Sequence, residues 1–135
     1  MKDPPVQTSG FAALGRLLLA LLFVLSGLGK IAAPGATQAY IAAVGLPLPW
    51  VVYGIAVVVE VGFGAALLVG FQARVAAAGL AVFTLAAAVL FHSNLADQNT
   101  FIHFVKNIAI TGGLLQVVAF GAGALSLDAR RLRTA

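Results

Sequence analysis

Val51–Gly70 reads VVYGIAVVVEVGFGAALLVG and is apolar throughout except for one acid, Glu60, close to its middle. The stretch matches the roughly 20 residues that an α-helix needs to cross a bilayer. A carboxylate at the centre of such a span costs several kcal/mol if left alone. Either Glu60 is neutral or another helix compensates it, so the rest of the chain has to be searched for its partner.

The composition supports a membrane reading. Of 135 residues, 61% are hydrophobic and 9% charged, and the mean hydropathy is +1.05. A soluble chain of this size could not hide that much apolar surface. In lipid the backbone must close its own hydrogen bonds, which favours helices, and the length suits one domain, residues 1–135, of about four spans. The net charge is +4, but the basic residues stand at the ends of apolar runs. Only Arg130, Arg131 and Arg133 cluster, with no aromatic interleaving, which argues against nucleic-acid binding. The absence of cysteine excludes thiol–disulfide chemistry and cysteine-ligated clusters or zinc within this chain.

The first apolar run covers residues 11–33, with Arg16 near one end and Lys30 near the other on one stripe with Leu19, Phe23 and Ser26. A cleaved signal peptide is the competing reading, but the amphipathic register persists to Lys30 and favours a retained helix. Pro34–Gly35 stops it. Residues 36–46 (ATQAYIAAVGL) form a short amphipathic segment expected to lie in the interface over the bundle mouth. Pro47 and Pro49 bracket a turn, and Tyr40 and Trp50 fit the aromatic belt. The second span covers 50–70. In it Gly54, Val58, Gly62, Ala66 and Gly70 recur every four residues, a mostly small stripe expected to meet another backbone. Glu60 lies opposite, with Tyr53, Ala56, Gly64 and Leu67, on a face expected to line a polar interior. The third span covers 73–92. After the polar loop Ser93–Thr100, the fourth covers 101–127, with a second small stripe at Ala109, Gly113, Val117 and Gly121. Gln116 is expected to hydrogen-bond between helices.

If the N-terminus is cytoplasmic, that side holds Lys2, Arg16, Arg74, Arg130, Arg131 and Arg133, and the other holds Lys30 and Lys106. The bias is positive-inside and puts both termini in the cytoplasm; the arginines read as topology markers. The remaining polar residues then gather at the outer end. Lys30 closes span one, His92 closes span three, and His103, Lys106 and Asn107 open span four. Glu60 lies about 14 Å below the outer end and Lys106 about 8 Å deep, at the usual helical rise. A lysine stem reaches in either direction, so a Glu60 pair with Lys106 or Lys30 is within reach. The functional reading is an outward-facing polar pocket floored by Glu60, able to hold a small polar head such as a quinone ring or to relay a proton. The bland alternative is an ion pair that only locks the helices. Tyr53 is a candidate pocket wall. His92 and His103 fit wet helix ends better than a metal site, since zinc would want two further ligands such as Asp97, or than a bis-histidine haem. No metal is assigned.

Several stretches together resemble the DoxX family of small bacterial membrane proteins. They are RLLLALLFVLSGLGKI (Arg16–Ile31), GLPLP (Gly45–Pro49), Glu60 with Gly62, Gly64, Gly70 and Arg74, the Phe91–His92 pair, FVKNIAITGGLL (Phe104–Leu115) and GAGALSLDARR (Gly121–Arg131). The resemblance implies an all-α bundle of four membrane helices in the bacterial inner membrane. It also implies a quinone-linked or redox-linked setting for some members, with Lys30, Glu60, His92, Lys106 and Asn107 as the family's polar residues. The expectation is therefore an inner-membrane redox accessory or quinone-interacting subunit. Its ligand-binding candidates are Lys30, Tyr53, Glu60, His92, His103, Lys106 and Asn107, and Glu60 and Lys106 are the candidates for any catalytic role. A small-solute transporter is one alternative, which needs a polar path to both faces. A scaffold holding a soluble or membrane oxidoreductase through the Asp128–Arg133 tail is another. The small stripes also permit a homo-oligomer.

Overall fold

The computed structural model describes residues 6–135, with side chains from Thr8 onward; Lys2, which enters the charge count, lies outside them. The chain is all helical: α1 (Val6–Ala32), α2 (Pro34–Ala43), α3 (Pro49–Val69), α4 (Ala73–Phe91), α5 (Gln98–Phe120) and α6 (Leu127–Thr134). Four of these, α1 (from Thr8), α3, α4 and α5, are long and apolar enough to cross a membrane. The short α2 lies between the first two spans, as the sequence suggests. Two prolines begin helices here. Pro34 and Pro49 stand in the first turns of α2 and α3, where the missing N–H is no loss.

The fourth span is shorter than its hydropathy implies. It ends at Phe120 rather than Leu127, because Gly121 and Gly123 take φ of +83° and +82°, a left-handed conformation that glycine adopts without strain. Ser126 then opens α6, its hydroxyl accepting the Ala129 N–H at 3.1 Å.

The interior is built from small residues. Ala20, Ala73, Ala76, Ala77, Ala81 and Ala88 are buried, whereas Leu67, Leu80 and Leu114 are the largest fully buried side chains. Leu18, Leu25, Val58, Val82 and Val89 all point outward. Lipid solvates such side chains, so helix association depends on close backbone approach. That approach occurs between α1 and α3. A Cβ on Gly27 would fall 2.6 Å from Val61 Cγ2, and one on Gly64 would fall 3.0 Å from Val24 Cγ2.

This inverts the expectation for the second span. Gly54 and Gly62 meet nothing within 4 Å, and Val58 is 68% exposed. The stripe faces out at Gly54, Val58 and Gly62, while Ala66 packs on the core and Gly70 is buried against Ser126 and Arg16; the tight seam runs along the Glu60 face, through Ala56, Glu60, Gly64 and Leu67. Gln116 is likewise exposed instead of bridging helices. The seam is straightened by a π-helical turn at Val58–Phe63, centred near Glu60. Residues four apart drift by about 40° per step on a 3.6-residue helix. A wider turn takes up that drift, so Glu60 and Gly64 both meet α1, against Gly27 and Val24. Single π turns of this kind recur at functional sites.

At the end of the bundle that carries α6, the charged residues close the fold. Arg16 is 6% exposed and donates to the carbonyls of Ala122 and Leu125. Arg74 donates to those of Val118 and Ala119 at 3.1 and 3.0 Å, the free C-terminal carbonyls of α5. Asp128 accepts the Gln72 and Ala73 N–H groups at 2.7 and 2.9 Å, covering the start of α4. Arg16 and Arg74, read from sequence as topology markers, are therefore also structural clamps.

Candidate functional site

Glu60 finds its partner on α1. Lys30 Nζ lies 2.8 Å from Glu60 Oε2, with side-chain exposures of 27% and 6%. Ser26 completes the cluster: its hydroxyl donates to Glu60 Oε1 at 2.9 Å and accepts from Lys30 at 2.9 Å. The register explains the arrangement. Ser26 and Lys30 are one turn apart on α1 and share a face, and Gly27 beside them lets the Glu60 turn come close. Of the two lysines within reach by sequence, the ion pair takes Lys30; Lys106 is exposed and stands apart.

Two chambers meet at Glu60. One, of about 290 Å³, is largely apolar and lies under α2; Ile41, Val52, Ala56, Leu90 and Phe91 form its walls, with Lys30 and Glu60 at one side. Tyr40 of α2 stacks on Phe91 at 5.3 Å between ring centroids and covers it. The other, of about 400 Å³, is the more polar. Ser26, Thr84, His92, His103, Lys106 and Asn107 line it beside Phe23 and Ile110. Glu60, Phe83, Ala87 and His92 belong to both. Of the residues singled out from sequence, Lys30, Glu60, His92, His103, Lys106 and Asn107 all come to this pair of chambers. Tyr53 does not line them. Its hydroxyl donates to the Lys30 backbone carbonyl at 3.3 Å and so props the end of α1.

His92 and His103 stack with ring centroids 5.2 Å apart. Desolvation, and then the neighbouring His103, push the His92 imidazolium below its ordinary range, so His92 favours its neutral form and offers one donor and one acceptor. Among the described residues no group of three or more metal-ligating side chains gathers here. In the loop before α5, Asp97 accepts the Thr100 N–H and hydroxyl at 2.8 and 2.7 Å. These bonds hold its carboxyl below the usual range and start the helix that presents His103, Lys106 and Asn107.

Thr84 is the site residue that sequence reasoning missed. It is buried in an alanine-rich span and its hydroxyl donates to the Leu80 carbonyl at 2.7 Å. That local bond hides a polar side chain from any pattern argument.

The comparisons with known proteins agree with this architecture. The DoxX family model matches residues 11–93, which contain most of α1, all of α2, α3 and α4, and both members of the ion pair. The chain is 42% identical over 116 residues to the inner membrane protein YqjF of Escherichia coli K12, covering 84% of this chain and 85% of that one. It is 34% identical over 122 residues to the inner membrane protein YphA of the same organism, covering 87% of each. No solved structure matches. With more than half its length matched by the family model, and two relatives aligned over most of theirs, this multi-pass inner-membrane chain belongs to the DoxX family.

Proposed function

We propose that the chain is a redox accessory of the inner membrane that holds a lipid-soluble quinone beside Glu60. The observation that carries this is the buried Glu60, ion-paired to Lys30, in the wall shared by an apolar and a polar chamber. A ligand suited to both must be amphipathic, with a polar ring and an apolar tail. The chamber volumes stand at the lower end of the range for small-molecule sites, about 300–1,000 Å³. Lys106, His92 and His103 supply N–H donors for a ring oxygen, and Phe83 supplies a flat wall. A bound quinone would carry the electrons, and the chain would bind it, orient it and keep water away. A partner oxidoreductase would supply or take those electrons. The chain would lie with both termini in the cytoplasm and the chambers toward the outer face, as its basic residues favour.

The transport alternative needs a polar path through the bundle. Below Glu60 the interior is filled by Ala20, Phe23, Leu67, Leu80 and Leu114, which favours a closed site.

The test is organic extraction of protein purified in lipid nanodiscs, with quinone quantified by mass spectrometry. Retained quinone that falls at least fivefold in a Lys106→Ala, His103→Ala double variant is expected. No retention, together with unchanged quinone reduction in membranes of a Glu60→Gln strain, would sink the proposal. Orientation is separately checked by placing single cysteines at Ser93 and Ala135 in this cysteine-free chain. A membrane-impermeant thiol reagent added outside is expected to label the first only.

A further inference from the structure

A hollow of about 570 Å³ lies between α6 and the neighbouring ends of α4 and α5. It shares no lining residue with the two chambers at Glu60. Two exposed guanidinium groups stand in its wall, those of Arg74 and Arg131. Arg74 uses Nη1 on the Val118 and Ala119 carbonyls; its Nε and Nη2 make no hydrogen bond among the described residues. A Cβ on Gly121 would lie 3.4 Å from each of those two nitrogens, so the glycine leaves that edge uncovered. Arg131 lays its guanidinium over the Phe71 ring, 5.4 Å from the centroid. Stacking occupies one face of the guanidinium plane and leaves the N–H fork, which lies in the plane, for an acceptor.

Neither arginine is neutralised by the chain. Among the described residues the one ion pair is Lys30–Glu60. Asp128, the one side-chain carboxylate in the hollow, has its oxygens on the Gln72 and Ala73 N–H groups. Arg130 and Arg133 stand on the same helix as Arg131, so the region is strongly positive in spite of Asp128. A planar fork of this kind matches the oxygens of a phosphate.

The other walls are apolar and uncovered. Phe120 is 78% exposed and Leu132 82%, and Val75 stands beside Arg74 on the outward side of α4. A free oxyanion has no use for such walls, whereas a molecule with a phosphate head and a hydrocarbon tail meets both kinds. The spans α4 and α5 begin and end here, the level at which headgroups meet a spanning helix. Basic pockets between the ends of such helices take anionic head groups.

We propose that this hollow is a site for one anionic phospholipid, its phosphate held by Arg74 and Arg131 and an acyl chain laid over Val75, Phe120 and Leu132. The lipid joins α6 to the ends of α4 and α5. The site is independent of any ligand at Glu60.

The experiment is native mass spectrometry of the full chain in detergent, titrated with phosphatidylglycerol, with phosphatidylcholine of the same acyl chains, and with inorganic phosphate as competitor. One phosphatidylglycerol is expected to bind at least about tenfold more tightly than phosphatidylcholine, the scale of two basic contacts to an anionic head group. Inorganic phosphate, which has no chain, is expected not to displace it. Arg131→Gln should weaken phosphatidylglycerol binding about fivefold, the scale of one such contact. Arg133→Gln removes the same charge from the same helix outside the hollow, and should weaken it by less than about twofold. Equal binding of the two lipids overturns the proposal. Displacement of the lipid by phosphate does so too, since the hollow would then take a soluble anion. Equal losses in the two variants would mark a diffuse basic surface and overturn it as well. The lipid comparison uses the wild-type chain and so does not depend on either variant folding.

Discussion

The two ends of this bundle use their charged residues in opposite ways. At the α6 end, Arg16, Arg74 and Asp128 are committed to backbone groups that the helices leave open: four carbonyls at and beyond the end of α5 and two N–H groups at the start of α4. At the other end, Lys30, Glu60 and Ser26 pair with one another at the edge of two chambers, and His103 and Lys106 stand in a chamber wall. The first arrangement closes a structure, and the second keeps a space. Charge count would not separate them. What separates them is what the charged groups face: open backbone carbonyls and N–H groups at one end, chamber space at the other.

Substitutions at the two ends should therefore fail differently. The largest effect is expected for Lys30→Met, which leaves Glu60 buried without its counter-ion. Removing one member of a buried pair costs about 3 kcal/mol or more, and ligand retention should disappear with it. The double variant Lys30→Met, Glu60→Leu should recover most of that stability, since an apolar replacement of a whole pair is close to neutral, but no ligand retention. Recovery of both would remove the distinction between the ends. Thermal unfolding in detergent, with retained ligand measured in parallel, reads both outcomes.

Arg16→Met comes next. It strands two carbonyls and should cost about 2 kcal/mol while leaving ligand bound per folded molecule unchanged. Asp128→Ala, which uncovers the first N–H groups of α4, should cost about 1 kcal/mol, the scale of a lost helix cap. A ligand-binding defect in either folded variant would contradict a purely structural role for that residue.

The smallest effect is one of pH. The folded state holds His92 below its ordinary range, so the unfolded chain takes up the proton first. The stability contributed by neutral His92 is complete above the usual histidine pKa, declines as pH falls through it, and is gone below the lowered folded value. In an NMR titration the His92 ring should change below the ordinary histidine midpoint. His103→Ala, by removing the neighbouring imidazole, should move that midpoint up. A His92 midpoint at or above the ordinary value in the wild-type chain would contradict this.

Much of this was legible in the sequence. Hydropathy marks the four spans, and Pro34 and Pro49 mark where short connections begin. The cost of Glu60 in lipid points to a basic partner, and the α1 stripe through Ser26 and Lys30 offers one. What stayed hidden has physical causes. The π turn changes the phase of α3 without changing its composition, so a stripe of residues four apart looks alike on either face, and the small one reads as packed although Gly54, Val58 and Gly62 face outward. The end of α5 was hidden because Ala122, Ala124, Leu125 and Leu127 stay apolar after the helix stops; the signal lay in Gly121 and Gly123 followed by the Ser126 cap. Arg16 looks like a topology marker because sequence cannot say which carbonyls a distant loop will bring to it.

That last contact has a consequence for how the protein is made. The guanidinium of Arg16 belongs to the first span, yet its acceptors at Ala122 and Leu125 lie 106 and 109 residues later. During synthesis the opening helix enters the bilayer well before those carbonyls exist, carrying a cation that lipid tolerates poorly. Only a chain that has been translated through its closing loop can quench that charge, so a truncated product would bear a built-in mark of incompleteness.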